Sequence, residues 1–372
     1  MVFCLSAGCA VKMLSIWEEP KMGARIVIDT IGGDNGAEVC VEGAVEGLRQ
    51  NPDVSVILTG HKKELDQMLS LYEYDKKRLT VIDCPEEITC HDAPVEAVRK
   101  KKASSLVVGL TQIKEGHADA LVSAGSSGAV LAGAQFIVGR AKGVKRTPLA
   151  PLLPTAGNPS LLIDCGANVD AKPEVLVQFA EMGTIYMQNV MGVKNPTVAI
   201  VNIGAEEEKG NALVKSTYPL LKECKSINFI GSIESREIPN GKADVILTEA
   251  FTGNVILKLY EGLSKMLLAE IKSAMMATIK SKIGGLMIKK QLKKTLVRFN
   301  ASNKGGAPLL GLKGLVVKVH GNAKKEEVAS AIDQCYRFVI NDVSGKIVRG
   351  FEEAAAAEKT AEEAAADNKN EA

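Results

Sequence analysis

Arg25-Ile26-Val27-Ile28-Asp29-Thr30-Ile31-Gly32-Gly33-Asp34 is an apolar run that ends in a carboxylate and a glycine turn. A short, nearly continuous apolar run suits a strand buried on both faces, and Gly36 to Leu48 behind it reads as an amphipathic helix. Val54-Ser55-Val56-Ile57-Leu58-Thr59-Gly60 opens the next such unit. The same pattern predicts strands at Leu79 to Ile82, Ala120 to Val122, Ser160 to Ile163, Thr197 to Val201, Ile227 to Ile230, Val245 to Leu247 and Leu315 to Val319. Strands alternating with helices predict a Rossmann-like α/β fold, a mainly parallel sheet covered by helices on both faces. Ligands of such sheets sit outside the carboxyl ends of the strands, so the turns there are the place to look for chemistry.

Five of those turns are unusual. Asp29, Gly32, Gly33 and Asp34 put two carboxylates and two permissive glycines at one strand end, without the G-x-G-x-x-G spacing of a dinucleotide site. Ser123-Ala124-Gly125-Ser126-Ser127-Gly128 follows an apolar strand and opens a helix, where backbone amides and hydroxyls can receive an anion. It is not a G-x-S-x-G nucleophile elbow, because two serines stand between Gly125 and Gly128. Asp164, Gly166 and Asn168 precede Lys172, and Asn202 and Gly204 precede Lys209. Thr252, Gly253 and Asn254 open a further helix. Each turn alone suits a helix cap or a solvated charge run as well as a site. Their repetition on successive strands predicts a polar, charged ligand held where carboxylates, amides and lysines converge on one strand edge.

Gly305-Gly306-Ala307-Pro308 reads either as a flexible turn or as a close-packed wall for a chain-like substrate. Between this segment and the Thr252 turn lies a basic amphipathic stretch, about residues 263–300. Leu263, Leu267, Ile271 and Met275 recur at helical spacing, a break is expected at Gly284-Gly285, and Leu286, Ile288, Leu292, Leu296 and Phe299 follow. Lys272, Lys280, Lys282, Lys289, Lys290, Lys293, Lys294 and Arg298 intervene without a carboxylate. This predicts a protruding helical hairpin that lies on an anionic membrane surface or, on the plainer reading, forms a dimer contact.

The 372 residues carry a net charge of only +2, which excludes a global attraction to nucleic acid. The eight cysteines and four histidines lack paired spacing, so neither a metal nor a disulfide framework is expected. No run reaches the roughly 20 apolar residues of a membrane span, and the first residues lack a signal peptide's pattern, so a cytoplasmic protein is expected. Residues 1–22 read as an N-terminal extension or as translation upstream of a start at Met22. Residues 23–350 form the expected α/β domain, and 351–372 an Ala/Glu-rich tail.

In chain order, IDTIGGD, PVEAVRKKKASS, SAGSSGA, IDCGAN, NIGAEEEKG, EAFTGNV and KGGAPLLG resemble the successive motifs of the PlsX family, the phosphate acyltransferases of phospholipid synthesis. The resemblance covers Arg25 to about Gly350. Thr30 and Ile31 stand where Ala and Met are common, Ser127 where Thr is, Cys165 where Val is frequent, Glu249-Ala250 where Asp-Gly is usual, and Lys304 where Tyr is.

The resemblance implies a fold like isopropylmalate dehydrogenase and phosphate acetyltransferase, a homodimer, and no cofactor. It implies transfer of a long-chain acyl group from acyl carrier protein to inorganic phosphate, for use by a membrane glycerol 3-phosphate acyltransferase. On that footing the Ser123 to Gly128 turn, with Arg146 or Lys172 and Lys209, orients phosphate. Asn168, Asn202 or Asn254 donates to the thioester oxygen. The acidic carrier docks on Lys100 to Lys102 or on the hairpin lysines. The alternatives are an acetyltransferase-like enzyme using acyl-CoA and a non-enzymatic membrane scaffold, and nicotinamide chemistry lacks its fingerprint.

Overall fold

The computed structural model describes residues 23–297 and 305–370, with the backbone alone at 293, 294, 296, 297 and 357–370. The N-terminal extension, Arg298, Phe299 and Lys304 lie outside the described residues. In chain order the strands are β1 (Ala24–Asp29), β2 (Val54–Gly60), β3 (Leu79–Asp83), β4 (Ala120–Ser123), β5 (Leu152–Leu153), β6 (Ser160–Ile163), β7 (Thr197–Asn202), β8 (Asn228–Glu234), β9 (Val245–Leu247), β10 (Ala307–Leu309) and β11 (Leu315–Lys318). The helices are α1 (Gly36–Gln50), α2 (Lys62–Leu69), α3 (Pro94–Lys100), α4 (Ser105–Lys114), α5 (Ser127–Gly133), α6 (Pro173–Asn189), α7 (Ala212–Glu223), α8 (Ala250–Met276), α9 (Ile279–Val297), α10 (Lys325–Ile340) and α11 (Val343–Asn370).

The strands form two sheets, ordered β10-β11-β4-β1-β2-β3 and β5-β6-β9-β7-β8, parallel except where β10 meets β11 and β5 meets β6. The segment Pro148 to Leu153 joins them. Its backbone bonds antiparallel to β10, through Ala150 N to Pro308 O at 3.0 Å and Leu310 N to Pro148 O at 3.1 Å. It also bonds antiparallel to β6, through Leu162 N to Pro151 O at 2.9 Å and Cys165 N to Leu149 O at 3.0 Å. The expected α/β fold with helices on both faces is present, and the seven later strands all fall within a few residues of their predicted positions.

The antiparallel junction reverses the second sheet relative to the first. Turns after β1, β4 and β11 therefore leave one edge of the joined sheet, and turns after β6, β7 and β9 leave the other. The expectation that all the polar turns converge on one strand edge is corrected by this reversal. Its cause is the pair of short strands β5 and β10, two and three residues long, which periodicity is too weak to reveal at that length.

Close helix packing fixes the first sheet. A Cβ at Gly43 would meet Val328 at 2.5 Å, and one at Gly47 would meet Ile332 at 2.6 Å, so these two glycines of α1 admit α10 against its backbone. On the opposite face a Cβ at Gly109 of α4 would meet Leu121 at 2.6 Å. Buried Phe179 and Tyr186 of α6 fill the second layer.

The hairpin is also placed differently from expectation. The chain turns at Ala277-Thr278, and α9 runs unbroken through Gly284-Gly285. Thr278 and Ser281 cap the new helix reciprocally, Thr278 N donating to Ser281 Oγ at 2.9 Å and Ser281 N to Thr278 Oγ1 at 3.1 Å. Gly285 serves close approach instead, since a Cβ there would meet Met275 Cε at 2.8 Å.

Candidate active site

The register of the first sheet sets Thr59, Asp29, Ser123 and Lys318 on one rung across β2, β1, β4 and β11. Three of these strands end there, and their last side chains form a polar layer over an apolar core. Asp29 is buried; its carboxylate accepts from Ser105 Oγ at 2.5 Å, Ser123 Oγ at 2.7 Å and Ile31 N at 3.2 Å. Burial pushes its pKa up to about 6 against the pull of those hydrogen bonds. Ser123 Oγ in turn accepts from Gly125 N at 3.0 Å, so the carboxylate holds the serine-glycine turn through one hydroxyl.

The neighbouring turns press on one another. A Cβ at Gly32, where φ is +102°, would lie 3.0 Å from Gly125 Cα, and one at Gly33 would lie 2.9 Å from Ala124 Cβ. Asp34, exposed, donates its backbone N–H to Gly321 O at 2.7 Å. Gly128 serves packing, because a Cβ would meet Pro94 at 2.7 Å. Ser126 and Ser127 begin α5, where the first amides have no intrahelical partner.

Lys318 completes the rung. Its ammonium donates to Ala124 O at 3.3 Å and to Val319 O, and it feels the charges of Glu327, Asp29 and Asp34. Burial outweighs those carboxylates and lowers its pKa to about 8. Sequence reasoning passed over Lys318, although Leu315 to Val317 followed by Lys318-Val319-His320-Gly321 repeats the pattern of an apolar strand leading to a glycine turn.

A cleft of 730 Å³ opens at this rung, with Ser127, Lys318, His320, Gly305 and Gly306 at one end. Leu149, Pro151, Leu152 and Leu153 form one wall and α8 the other. Gly305 and Gly306 are close-approach positions as well as lining. A Cβ on Gly305 would meet Gln334 Oε1 at 2.4 Å, and one on Gly306 would meet Lys318 O at 2.6 Å.

The remaining predicted residues form two separate groups on the other edge. Asp164 accepts from Leu149 N at 2.9 Å, Gly166 N at 3.1 Å, Asn168 N at 2.8 Å and Asn168 Nδ2 at 2.7 Å, and burial raises its pKa. Asn168 Nδ2 also donates to Thr147 O at 3.0 Å, which commits both of its amide hydrogens to the protein itself. Gly253 abuts this loop so closely that a Cβ would fall 1.9 Å from Asp164 O. Glu249 caps α8 through Thr252 N at 3.0 Å and Phe251 N at 2.6 Å, and Asn254 is exposed beyond it.

In the second group Asn202 Nδ2 donates to Lys209 O and Ser232 Oγ, each at 3.1 Å. Lys209 pairs with Glu206 at 2.8 Å and folds over Gly204. Arg146 and Lys172 are exposed and do not line the cleft. Cys165 is buried, and burial together with the Asp164 charge holds its thiol well above the ordinary range, which disfavours the thiolate a covalent mechanism needs.

Among the described residues no group of three or more His, Cys, Asp or Glu is arranged to hold a metal ion, and no helix is long and apolar enough to cross a membrane.

Polar strand ends that open into an apolar cleft on this joined sheet place the chain in the α/β fold that phosphotransacylases share. The fold matches a phosphotransacetylase from Streptococcus pyogenes at a TM-score of 0.58 with 18% identity, covering 86% of this chain and 94% of that one. It matches a branched-chain phosphotransacylase from Enterococcus faecalis at 0.52 with 14% identity, covering 85% and 99%. Residues 24–346 match the family described as fatty acid synthesis protein. A phosphate acyltransferase from Alkaliphilus oremlandii is 48% identical over 326 residues, 88% of this chain and 97% of the relative. One from Clostridium acetobutylicum is 44% identical over 328 residues, 88% and 99%. The chain belongs to this PlsX family of phosphate acyltransferases and is an acyltransferase.

Proposed function

We propose that the enzyme transfers a long-chain fatty acyl group from acyl carrier protein to inorganic phosphate. The observation that supports this most is one cleft with an ionic end at Lys318 and Ser127 and an apolar wall at Leu149 to Leu153. Phosphate sits at the ionic end, held by Lys318 and the amides and hydroxyls that open α5. A phosphate oxygen attacks the thioester carbonyl and forms the new C–O bond. The C–S bond breaks and its electron pair leaves on the carrier's sulfur, which takes a proton from phosphate or solvent. Donors fixed in advance stabilise the oxyanion without reorganising at the moment of reaction.

Asp29, Gly32, Gly33, Ser123 and Gly125 hold the phosphate turn in shape. The Asp164, Asn168 and Gly253 contacts brace the wall through Leu149. Lys265 and Lys289, on the hairpin side of the cleft, offer the acidic carrier a docking surface, whereas Lys100 and Lys101 are already paired with Glu96 and Asp92. The hairpin tip, exposing Ile279, Ile283, Leu286 and Met287 among Lys280, Lys282 and Lys290, rests on anionic lipid and delivers acyl phosphate to a membrane glycerol 3-phosphate acyltransferase. A second copy of the chain covers the outer face of α8.

The test is phosphate-dependent release of free carrier from palmitoyl carrier protein, with the product trapped by hydroxylamine. Release without phosphate, or turnover confined to acetyl-CoA, contradicts the proposal and returns the acetyltransferase-like reading.

A further inference from the structure

The cleft extends well past its ionic end. Its lining continues along α8 through Leu257, Leu268 and Met275 and takes in Leu292 of α9. Leu257 to Met275 is unbroken helix, roughly 27 Å at about 1.5 Å per residue. Met275 faces α9 at the point where Gly285 removes the side chain that would block it. The hairpin thus presents two apolar surfaces, an outer one at its tip and an inner one continuous with the reaction cleft.

We infer that the inner surface of the hairpin is the acyl-chain site, with Leu268, Met275 and Leu292 selecting chain length. This rests on the acyl transfer reading above and adds a location and a direction to it. With the carbonyl held near Lys318, the apolar chain runs away from that end along α8, past the polar Lys258, Glu261, Ser264 and Lys265, to the apolar far end that Leu268, Met275 and Leu292 line. Each methylene seated there contributes about a fourfold gain in binding, so the far end matters only to chains that reach it. The hairpin then does two jobs with two faces: the tip meets lipid, and the inner face guides the product toward it.

The test compares palmitoyl and butyryl carrier protein as substrates of Leu268→Trp and Met275→Trp. Filling the far end should raise the KM for the palmitoyl substrate at least tenfold and leave kcat/KM for the butyryl substrate within twofold. Equal losses for both substrates, or none, overturn the inference. Because tryptophan could disturb the hairpin, the unaltered enzyme is also photolabelled with a carrier-linked palmitoyl chain bearing a terminal diazirine. Label on α8 and α9 near Met275 and Leu292 supports the assignment. Label elsewhere, or none from a chain that the enzyme turns over, overturns it. Absence of turnover of every carrier-linked acyl chain by the unaltered enzyme is a different result, and strikes the acyl transfer reading itself.

Discussion

A lysine at the end of a buried strand keeps its charge only while something compensates it, and Lys318 is under-compensated, losing its proton near pH 8. With the charged form as the proposed phosphate anchor, kcat/KM for phosphate should fall as pH rises through about 8, and Lys318→Arg should remove that alkaline limb while lowering activity through its altered geometry. Asp29 runs the other way. Its folded pKa of about 6 lies above the unfolded value, so between about pH 4 and pH 6 the folded state holds the extra proton and stability falls as pH rises. Urea titrations of Asp29→Asn should show a flatter stability profile across that window, and an unchanged slope would remove Asp29 as its source. Asp29 and Ser123 could be read directly, as polar residues ending apolar runs. Lys318 ends an apolar run in the same way, but its place beside them depends on the register of strands nearly 200 residues apart in sequence, which that pattern does not give. Asn168 and Asn202 looked like donors to substrate for the same reason that they are good loop braces: an amide bonds equally well to a ligand or to its own backbone.

Among elements, the hairpin separates composition from conformation most clearly. Its apolar and basic content was legible, since no carboxylate interrupts the lysines, but the glycine pair drew the turn to the wrong place. A capping threonine fixes backbone direction through hydrogen bonds, whereas glycine merely permits a turn and here serves helix contact. The correction moves the proposed lipid contact toward Ile279 and Leu286. Leu292 lines the cleft instead, and for Leu296 only the backbone is described. Leu286 and Met287 are 74% and 80% exposed, and each nearby lysine contributes about 1 kcal/mol on an anionic surface. Leu286→Glu with Met287→Glu should therefore abolish sedimentation with anionic vesicles while acyl phosphate formation in detergent-free solution persists. Retention of vesicle binding in that variant, or binding in the parent that ignores salt, would locate the contact elsewhere.

At the scale of the whole molecule, parallel strands and covering helices were plain from periodicity, while the reversal between the two sheets was not, because two- and three-residue strands carry almost no pattern. That reversal sends α8 across the junction, and its two sides face different fates. Leu257, Glu261, Ser264 and Leu268 line the cleft, and at 3.6 residues per turn Phe251, Val255, Leu259, Leu263 and Met266 fall on the opposite side. Phe251, Val255 and Leu259 are 65%, 53% and 67% exposed, a continuous apolar stripe of the kind monomeric proteins seldom leave in water. In the proposed pairing with a second copy, a twofold axis would set the same stripe against itself and bury both at once. Val255→Glu with Leu259→Glu places like charges on both sides of that contact, where each would face its own symmetry mate or a close neighbour across the axis. Sedimentation velocity should show the parent as a dimer and the variant as a monomer of 39.5 kDa. Because the stripe lies opposite the cleft, the monomer should still bind phosphate at Lys318, read out by protection of the folded state against heat. A dimeric variant would assign the interface to another surface, and a monomeric one that phosphate no longer protects would mean that the partner subunit completes the site.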